Sequence, residues 1–144
     1  MTIRRAHFED AAVIAGLATQ LGYPNTPAEI ATRLRDVLAQ PGSAVMVAVD
    51  EDGTVIGYGH VFGAHRVDSD PFAEIGVLVV DETRRSRGTG AALVAAMEAW
   101  AIEHGYRELR VRSNVVRERA HAFYDRLGFG RVKRQQIFAR SISG

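Results

Sequence analysis

The sequence predicts a single α/β domain in which helices pack on a mixed sheet. Three observations lead there. Runs with strand character alternate with runs at helical spacing, in the order βααβββαβαββ. The 144 residues suit one core rather than two. No linker, internal repeat or low-complexity tract divides the chain.

Each element has its own signal. Ile3 starts a short strand. In AAVIAGLATQL, Val13, Ile14, Leu17, Ala18 and Leu21 recur at helical spacing, and Gly22 offers a stop. Thr26 as N-cap, Pro27 at the first helical position and Glu29 three residues past the cap make a capping box. Behind it Ile30, Leu34, Val37 and Leu38 form one apolar face, ended by Pro41-Gly42. Ala44 to Val49 and Thr54 to Phe62 read as strands joined by a hairpin turn over Asp50 to Gly53. HRVDSDP reads as a polar loop. Ala73 to Val80 is a strand too apolar to lie at an edge with one face in water. From Ala91 to His104, Leu93, Met97, Trp100 and Ala101 fall on one helical stripe, and Gly105 caps it. ELRVRS is a strand. RERAHAFYDRL is a helix with Ala120, Phe123, Tyr124 and Leu127 on one face, stopped by Gly128. Two short strands are expected around Val132 and Ile137.

Composition excludes several functions. A net charge of +1 gives no general reason to seek nucleic acid or an anionic membrane as partner. With no cysteine there is no disulfide, no thiolate nucleophile and no cysteine-bound zinc. The opening MTIRRAHFED turns charged at once, unlike a signal peptide, and no apolar run reaches the roughly 20 residues a bilayer needs. A cytoplasmic location is expected.

The stretch Arg84-Arg85-Ser86-Arg87-Gly88-Thr89-Gly90 lies between the third strong strand and the alanine-rich helix. A glycine turn opening a helix can bind phosphate, because first-turn amides lack internal partners and the helix dipole is positive there. Gly88 and Gly90 allow close approach, and the arginines add forked donors. A solvated, charged connection would carry the same residues. The stretch is no P-loop, since no Gly-x-x-x-x-Gly-Lys occurs, and no dinucleotide fingerprint, since Leu93 stands where the third glycine would be. Nor does the chain contain a Gly-x-Ser-x-Gly elbow.

In LVVDETRRSRGTGAALVAAMEAWA, the strand followed by Arg85-Ser86-Arg87-Gly88-Thr89-Gly90 and a helix resembles motif A of the GNAT family of N-acetyltransferases. AHAFYDRLGF resembles the family's motif B, with Tyr124, Gly128 and Phe129 at the matching positions. RSNVVRERAHAFYDRLGF is similar to a subgroup that includes aminoalkylphosphonate acetyltransferases. The resemblance covers the whole element order and is specific from about Ala73 to Phe129. It implies a mostly antiparallel sheet with splayed central strands and helices on both faces, and acetyl-CoA as cosubstrate. It also implies roles. The segment Ser86 to Ala91, taking in Arg87, Gly88, Thr89 and Gly90 and following Arg85, would cradle the pyrophosphate. The backbone of Leu78, Val79 and Val80 would pair with the pantetheine arm, with ELRVRS as the other wall of the slot. Tyr124 would protonate the leaving thiolate. The family's cofactor-contacting asparagine stands seven residues before the tyrosine; here that position is Arg117, and Asn114 lies three residues earlier. Asn114 is either a cofactor contact or a cap for the next helix.

Acetyl transfer to an amine needs a proton acceptor for the amine, donors for the tetrahedral oxyanion and an acid for the thiolate. A strand amide near Leu78 to Val80 would serve the oxyanion. Tyrosine, with an ordinary pKa of about 10, can donate to a thiolate whose pKa is about 8.5 for a cysteine-like thiol. Alternation would put Glu74, Gly76 and Leu78 on one strand face, with Glu74 relaying the amine's proton through water or simply solvated at the strand end. His60, His65 and His121 are further candidates, the last one helical turn from Tyr124. His60, His65 and Glu74 lack a tight ligand spacing, and no metal is expected. By family resemblance Tyr23, Asn25 and the loop Gly63 to Pro71 border the acceptor. The expected partner is a small-molecule amine. A protein or peptide acceptor and a non-catalytic acyl-CoA-binding module are the alternatives. Family resemblance also points to a homodimer, with the C-terminal strands offering an edge.

Overall fold

The structure, a computed structural model, describes residues 1–84, 87–112 and 118–142. Met1–Arg112 forms one compact unit and Ser113–Gly144 a second.

In the first unit β1 (Thr2–Arg5), β2 (Ser43–Val49), β3 (Val55–Arg66), β4 (Ser69–Val80) and β5 (Leu109–Val111) form one sheet in the order β1-β2-β3-β4-β5. The first three pairings are antiparallel and β4 with β5 is parallel, so the sheet is mixed and mostly antiparallel, as predicted. Helix α1 (Ala11–Gln20) and helix α2 (Pro27–Leu38) cover one face. There Ile14, Leu17 and Leu34 pack with Val45, Val47, Tyr58 and Val79. Helix α3 (Thr89–Glu103) covers the other face, with Leu93 and Met97 lying over Gly57 and Gly59. The bare glycines let the helix come close.

Local chemistry sets the element ends. Thr26 accepts from the Glu29 amide at 3.1 Å and Glu29 accepts from the Thr26 amide at 2.9 Å, so the capping box forms. Gly22, Gly105 and Gly128 all take positive φ where helices stop. Before α1, Asp10 accepts from both terminal nitrogens of Arg4, at 2.9 and 3.1 Å, and from the His7 amide at 2.7 Å. This ties β1 to the helix entry.

Three expectations change. HRVDSDP is not a loop: β3 runs on to Arg66, β4 starts at Ser69, and only Val67 and Asp68 connect them. Backbone pairing at Arg66↔Ser69 closes this hairpin, and Pro71, which has no N–H to give, sits where the register shifts. Leu38 is 41% exposed, because the apolar stripe of α2 narrows to Ile30, Leu34 and Val37. The strand expected from Glu108 to Ser113 is described only over Leu109–Val111, and Ser113 lies outside the described residues.

In the second unit, helix α4 (Glu118–Arg126) ends in paired backbone bonds. The Phe129 amide donates to the Tyr124 carbonyl at 3.0 Å and the Gly128 amide to Asp125 at 3.1 Å, a Schellman stop. The strands expected around Val132 and Ile137 do not form among the described residues, so the edge they were to supply is not built. Val132 and Ile137 are 75% and 82% exposed, set five apart around the polar Lys133 to Gln136. Two β-branched residues without an alternating apolar face or a paired neighbour do not hold a strand.

Candidate active site

The stretch between β4 and α3 is anchored before it reaches the helix. The Asp81 amide bonds to the Ile56 carbonyl at 2.8 Å, and the Asp81 carboxylate accepts from the Thr83 amide and hydroxyl at 3.0 and 2.8 Å. Those bonds, the Thr83 amide foremost, hold the Asp81 carboxyl below its usual range. Arg84 is ion-paired with Asp50 at the end of β2, and Arg87 comes within 3.9 Å of the same carboxylate. Part of the arginines' charge is thus matched inside the protein. Asp50 was not singled out in the sequence, because its pairing spans a contact between distant segments. Arg85 and Ser86 lie outside the described residues.

Gly88 is the N-cap of α3, with φ 78° and ψ 8°. This is the left-handed region, where a side chain is strained, although space around its Cα is open. Gly88 has no side chain to cap the helix, and no acidic residue lies in its first turn. The first intrahelical bond runs from the Ala92 amide to the Gly88 carbonyl at 3.0 Å. The amides of Thr89, Gly90 and Ala91 therefore precede the helical ladder, as an anion site requires. Thr89 is buried and its Oγ1 has no hydrogen-bond partner among the described residues.

A second backbone edge leads to this turn. Asp81 and Ile56 are bonded partners, so by ladder alternation Val79 and Val77 face β3. Leu78 and Val80 carry their N–H and C=O groups toward the opposite side. There the described pairing with β5 ends at Ile75↔Val111, while β4 runs on to Val80. The residues that would continue β5 beside Gly76 to Val80 lie outside the described residues, and so does the splay implied by the resemblance.

A bulge at Gly76 changes the expected faces of β4. His60 pairs with Val77, but Val61 pairs with Ile75, leaving Gly76 as the extra residue. Glu74 lies opposite Phe62 and Leu78 opposite Gly59. Phe62 and Gly59 are three residues apart on β3 and face opposite sides, so Glu74 and Leu78 do too. The expected common face of Glu74, Gly76 and Leu78 is broken by this one inserted residue. Glu74 is buried, and Arg112 Nε donates to its Oε1 at 3.1 Å. Gly76 is exposed although its strand is central. A Cβ there would meet the Phe62 ring at 3.0 Å and His60 Nδ1 at 3.6 Å.

His60 and His65 have separate surroundings. His60 packs against Phe62 with ring centroids 5.4 Å apart, and burial pushes its imidazole below the ordinary histidine value. His65 is within hydrogen-bond distance of the Tyr106 hydroxyl, at 3.1 Å. In the second unit, His121 acts electrostatically on Asp125, which binds Arg131 at 2.7 Å. Tyr124 stacks edge-on against Phe123 and Phe129, with centroids 5.2 and 5.6 Å away. Burial pushes its phenol above the usual value, so it stays protonated at neutral pH. Asn114 and Arg117 lie outside the described residues. At the expected acceptor borders, a cleft of about 330 Å³ is lined by Thr19, Pro24, Asn25, Thr26 and Glu29. Another, of about 590 Å³, takes in Ser69, Asp70 and Pro71. No helix among the described residues is long and apolar enough to cross a membrane.

Comparison with known proteins agrees with this geometry. The chain is 33% identical over 141 residues to an aminoglycoside N(6')-acetyltransferase type 1 of Stenotrophomonas maltophilia, covering 95% of this chain and 91% of that protein. It is 25% identical to the Serratia marcescens aminoglycoside N(6')-acetyltransferase type 1, over 88% of this chain and 89% of that one. Its fold is similar to a solved aminoglycoside N-acetyltransferase in complex with CoA, with a TM-score of 0.87 at 23% identity, covering 99% and 95% of the two chains. The acetyltransferase (GNAT) family pattern matches residues 11–129, which includes β4, α3 and α4. The chain belongs to the GNAT family of acetyltransferases, enzymes that use acetyl-CoA.

Proposed function

We propose that this enzyme moves the acetyl group of acetyl-CoA directly onto a primary amine of a small, polar molecule. The observation that carries the cofactor side is the glycine-led N-terminus of α3, which follows directly on the end of β4. In this reading the amides of Thr89, Gly90 and Ala91, with the preceding Arg85, Ser86, Arg87 and Gly88, bind the pyrophosphate. Leu78 and Val80 hydrogen-bond the pantetheine arm, Val79 keeps that edge fixed to β3, and Asn114 contacts the cofactor. The match over residues 11–129 spans both compact units, which supports one acetyltransferase domain over the whole chain.

The chemistry follows from the groups available. The neutral amine attacks the thioester carbonyl, and a strand amide of β4 donates to the oxyanion. The C–S bond breaks, and Tyr124, kept protonated by burial, gives its proton to the thiolate. Glu74, held by Arg112, is a polar group on the His60 face of β4 that contacts the acceptor amine. Two small-amine similarities support the acceptor class: the aminoglycoside acetyltransferases above, and the aminoalkylphosphonate enzymes resembled by Arg112 to Phe129.

Isothermal titration with acetyl-CoA tests the cofactor site, and thiol release with kanamycin, 2-aminoethylphosphonate and a lysine-containing peptide tests the acceptor. Acetyl-CoA is expected to bind, and Gly88→Glu to abolish binding by setting an acid in the cradle. Tyr124→Phe is expected to lower kcat by about 10²-fold with binding unchanged. Turnover of the peptide alone would move the reading to a peptide acetyltransferase. Tight binding with no turnover of any amine would make the protein an acyl-CoA-binding module.

A further inference from the structure

We propose that His60 is the catalytic base that takes the proton from the acceptor ammonium, working through the opening at the Gly76 bulge. The inference rests on the cofactor placement proposed above. Pyrophosphate at the start of α3 and pantetheine along β4 send the thioester from Val80 toward Gly76. Val80 to Val77 is three residues, about 10 Å of extended chain. His60 is the β3 residue paired with Val77, and so stands across from the end of that path.

Three features make this position suited to a base. First, the site is open: Gly76 is exposed within a central strand, and only its missing Cβ leaves room beside His60 Nδ1 and Phe62. Second, the imidazole is uncommitted. Its Nε2 is buried and has no hydrogen-bond partner among the described residues, an uncommon state for a polar atom inside a protein. Third, Glu74, the other candidate, already binds Arg112. Burial keeps His60 neutral, so it has a lone pair to offer at neutral pH.

The groups facing His60 are few. Tyr58 lies two residues away on the same face of β3, and Glu74 with Arg112 reaches that face from β4 and the end of β5. Val45 is its partner on β2, and α1, which covers this face, carries no charged residue. The step balances. His60 accepts one proton from R–NH3⁺ and later releases it to solvent, and the freed nitrogen lone pair forms the C–N bond. A second nitrogen proton replaces the one Tyr124 gives to the thiolate. The products are the amide, CoA thiol and one H⁺.

The test has two parts. In NMR titrations of the full chain, saturating acetyl-CoA should shift the His60 ring resonances and leave those of His7 in place; an unmoved His60 overturns the proposal. With kanamycin as acceptor, kcat/KM of the wild type should fall at acid pH, with its midpoint below the ordinary histidine range because His60 is buried. His60→Gln should lose about 10²-fold in kcat/KM together with that acid limb, at unchanged acetyl-CoA affinity. Gly76→Ala should lose turnover similarly while keeping His60, because its methyl fills the opening. A His60→Gln enzyme with wild-type kcat/KM and an intact acid limb refutes the base while leaving the cofactor site standing. Failure of the wild type to bind acetyl-CoA strikes the cofactor reading itself.

Discussion

Gly57 and Gly59 offer a test of how α3 is seated. Both lie on β3 beneath that helix, and adding one methyl to each should give unequal results. At Gly57 a Cβ would stand 2.9 Å from the Val79 carbonyl oxygen, 3.2 Å from Leu93 Cδ1 and 3.5 Å from Thr89 Cγ2. The first of these is backbone of a paired central strand and cannot turn aside. At Gly59 the close atoms are Met97 Cε at 2.7 Å and Sδ at 2.9 Å, the far end of a flexible side chain. Overpacking costs about 1–3 kcal/mol, and replacing glycine returns about 0.4–1 kcal/mol by restricting the unfolded chain. With the rigid contact at the upper end of that range, Gly57→Ala should lose about 2 kcal/mol net, and Gly59→Ala close to zero. For 144 residues at about 2.1 cal/mol/K each, the unfolding entropy is about 0.3 kcal/mol/K. Gly57→Ala should then lower Tm by about 6–7 °C and Gly59→Ala by less than about 2 °C. Differential scanning calorimetry measures both. Because Thr89 and Leu93 lie over Gly57, titration with acetyl-CoA should also show weaker binding in Gly57→Ala alone. Equal Tm losses in the two variants, or an unchanged Tm in Gly57→Ala, would refute the reasoning.

Two further predictions concern the helix entries. Asp10 is buried, and its carboxyl is lowered first by the hydrogen bond from Arg4 and also by that from the His7 amide. A carboxylate lowered on folding stabilises above its unfolded pKa, and that stability is lost as pH falls through the folded value. Urea midpoints measured from neutral pH down into the acid range should therefore decline less steeply in Asp10→Asn, which should also be less stable than wild type at pH 7 by about 1–3 kcal/mol. Thr26→Ala removes the side chain that accepts from the Glu29 amide, and should lower stability by about 1 kcal/mol, read from the urea midpoint.

Much of the scaffold was readable residue by residue. The capping box at Thr26, the glycine stops at Gly22, Gly105 and Gly128, and the buried stripe of α3 depend on neighbours within a turn or two. Such local preferences are written into sequence order. The glycine turn that opens α3 was legible for the same reason: a glycine N-cap and first-turn amides ahead of the helical ladder are properties of one short segment.

What the tertiary structure decided involves pairing between distant segments. Asp50 meets Arg84 only because the ends of β2 and β4 come together. Arg112 reaches Glu74 across a parallel pair 38 positions apart in sequence. A strand's alternation predicts faces only while the ladder stays in register, and the extra residue at Gly76 reverses the faces beyond it. That bulge exposes a central glycine and opens the sheet beside His60, which composition and periodicity alone do not reveal. The sequence by itself thus determined most of the elements, their caps and the glycine turn that opens α3. Register, a sum over backbone bonds between remote strands, decided which side chains of β3 and β4 share a face.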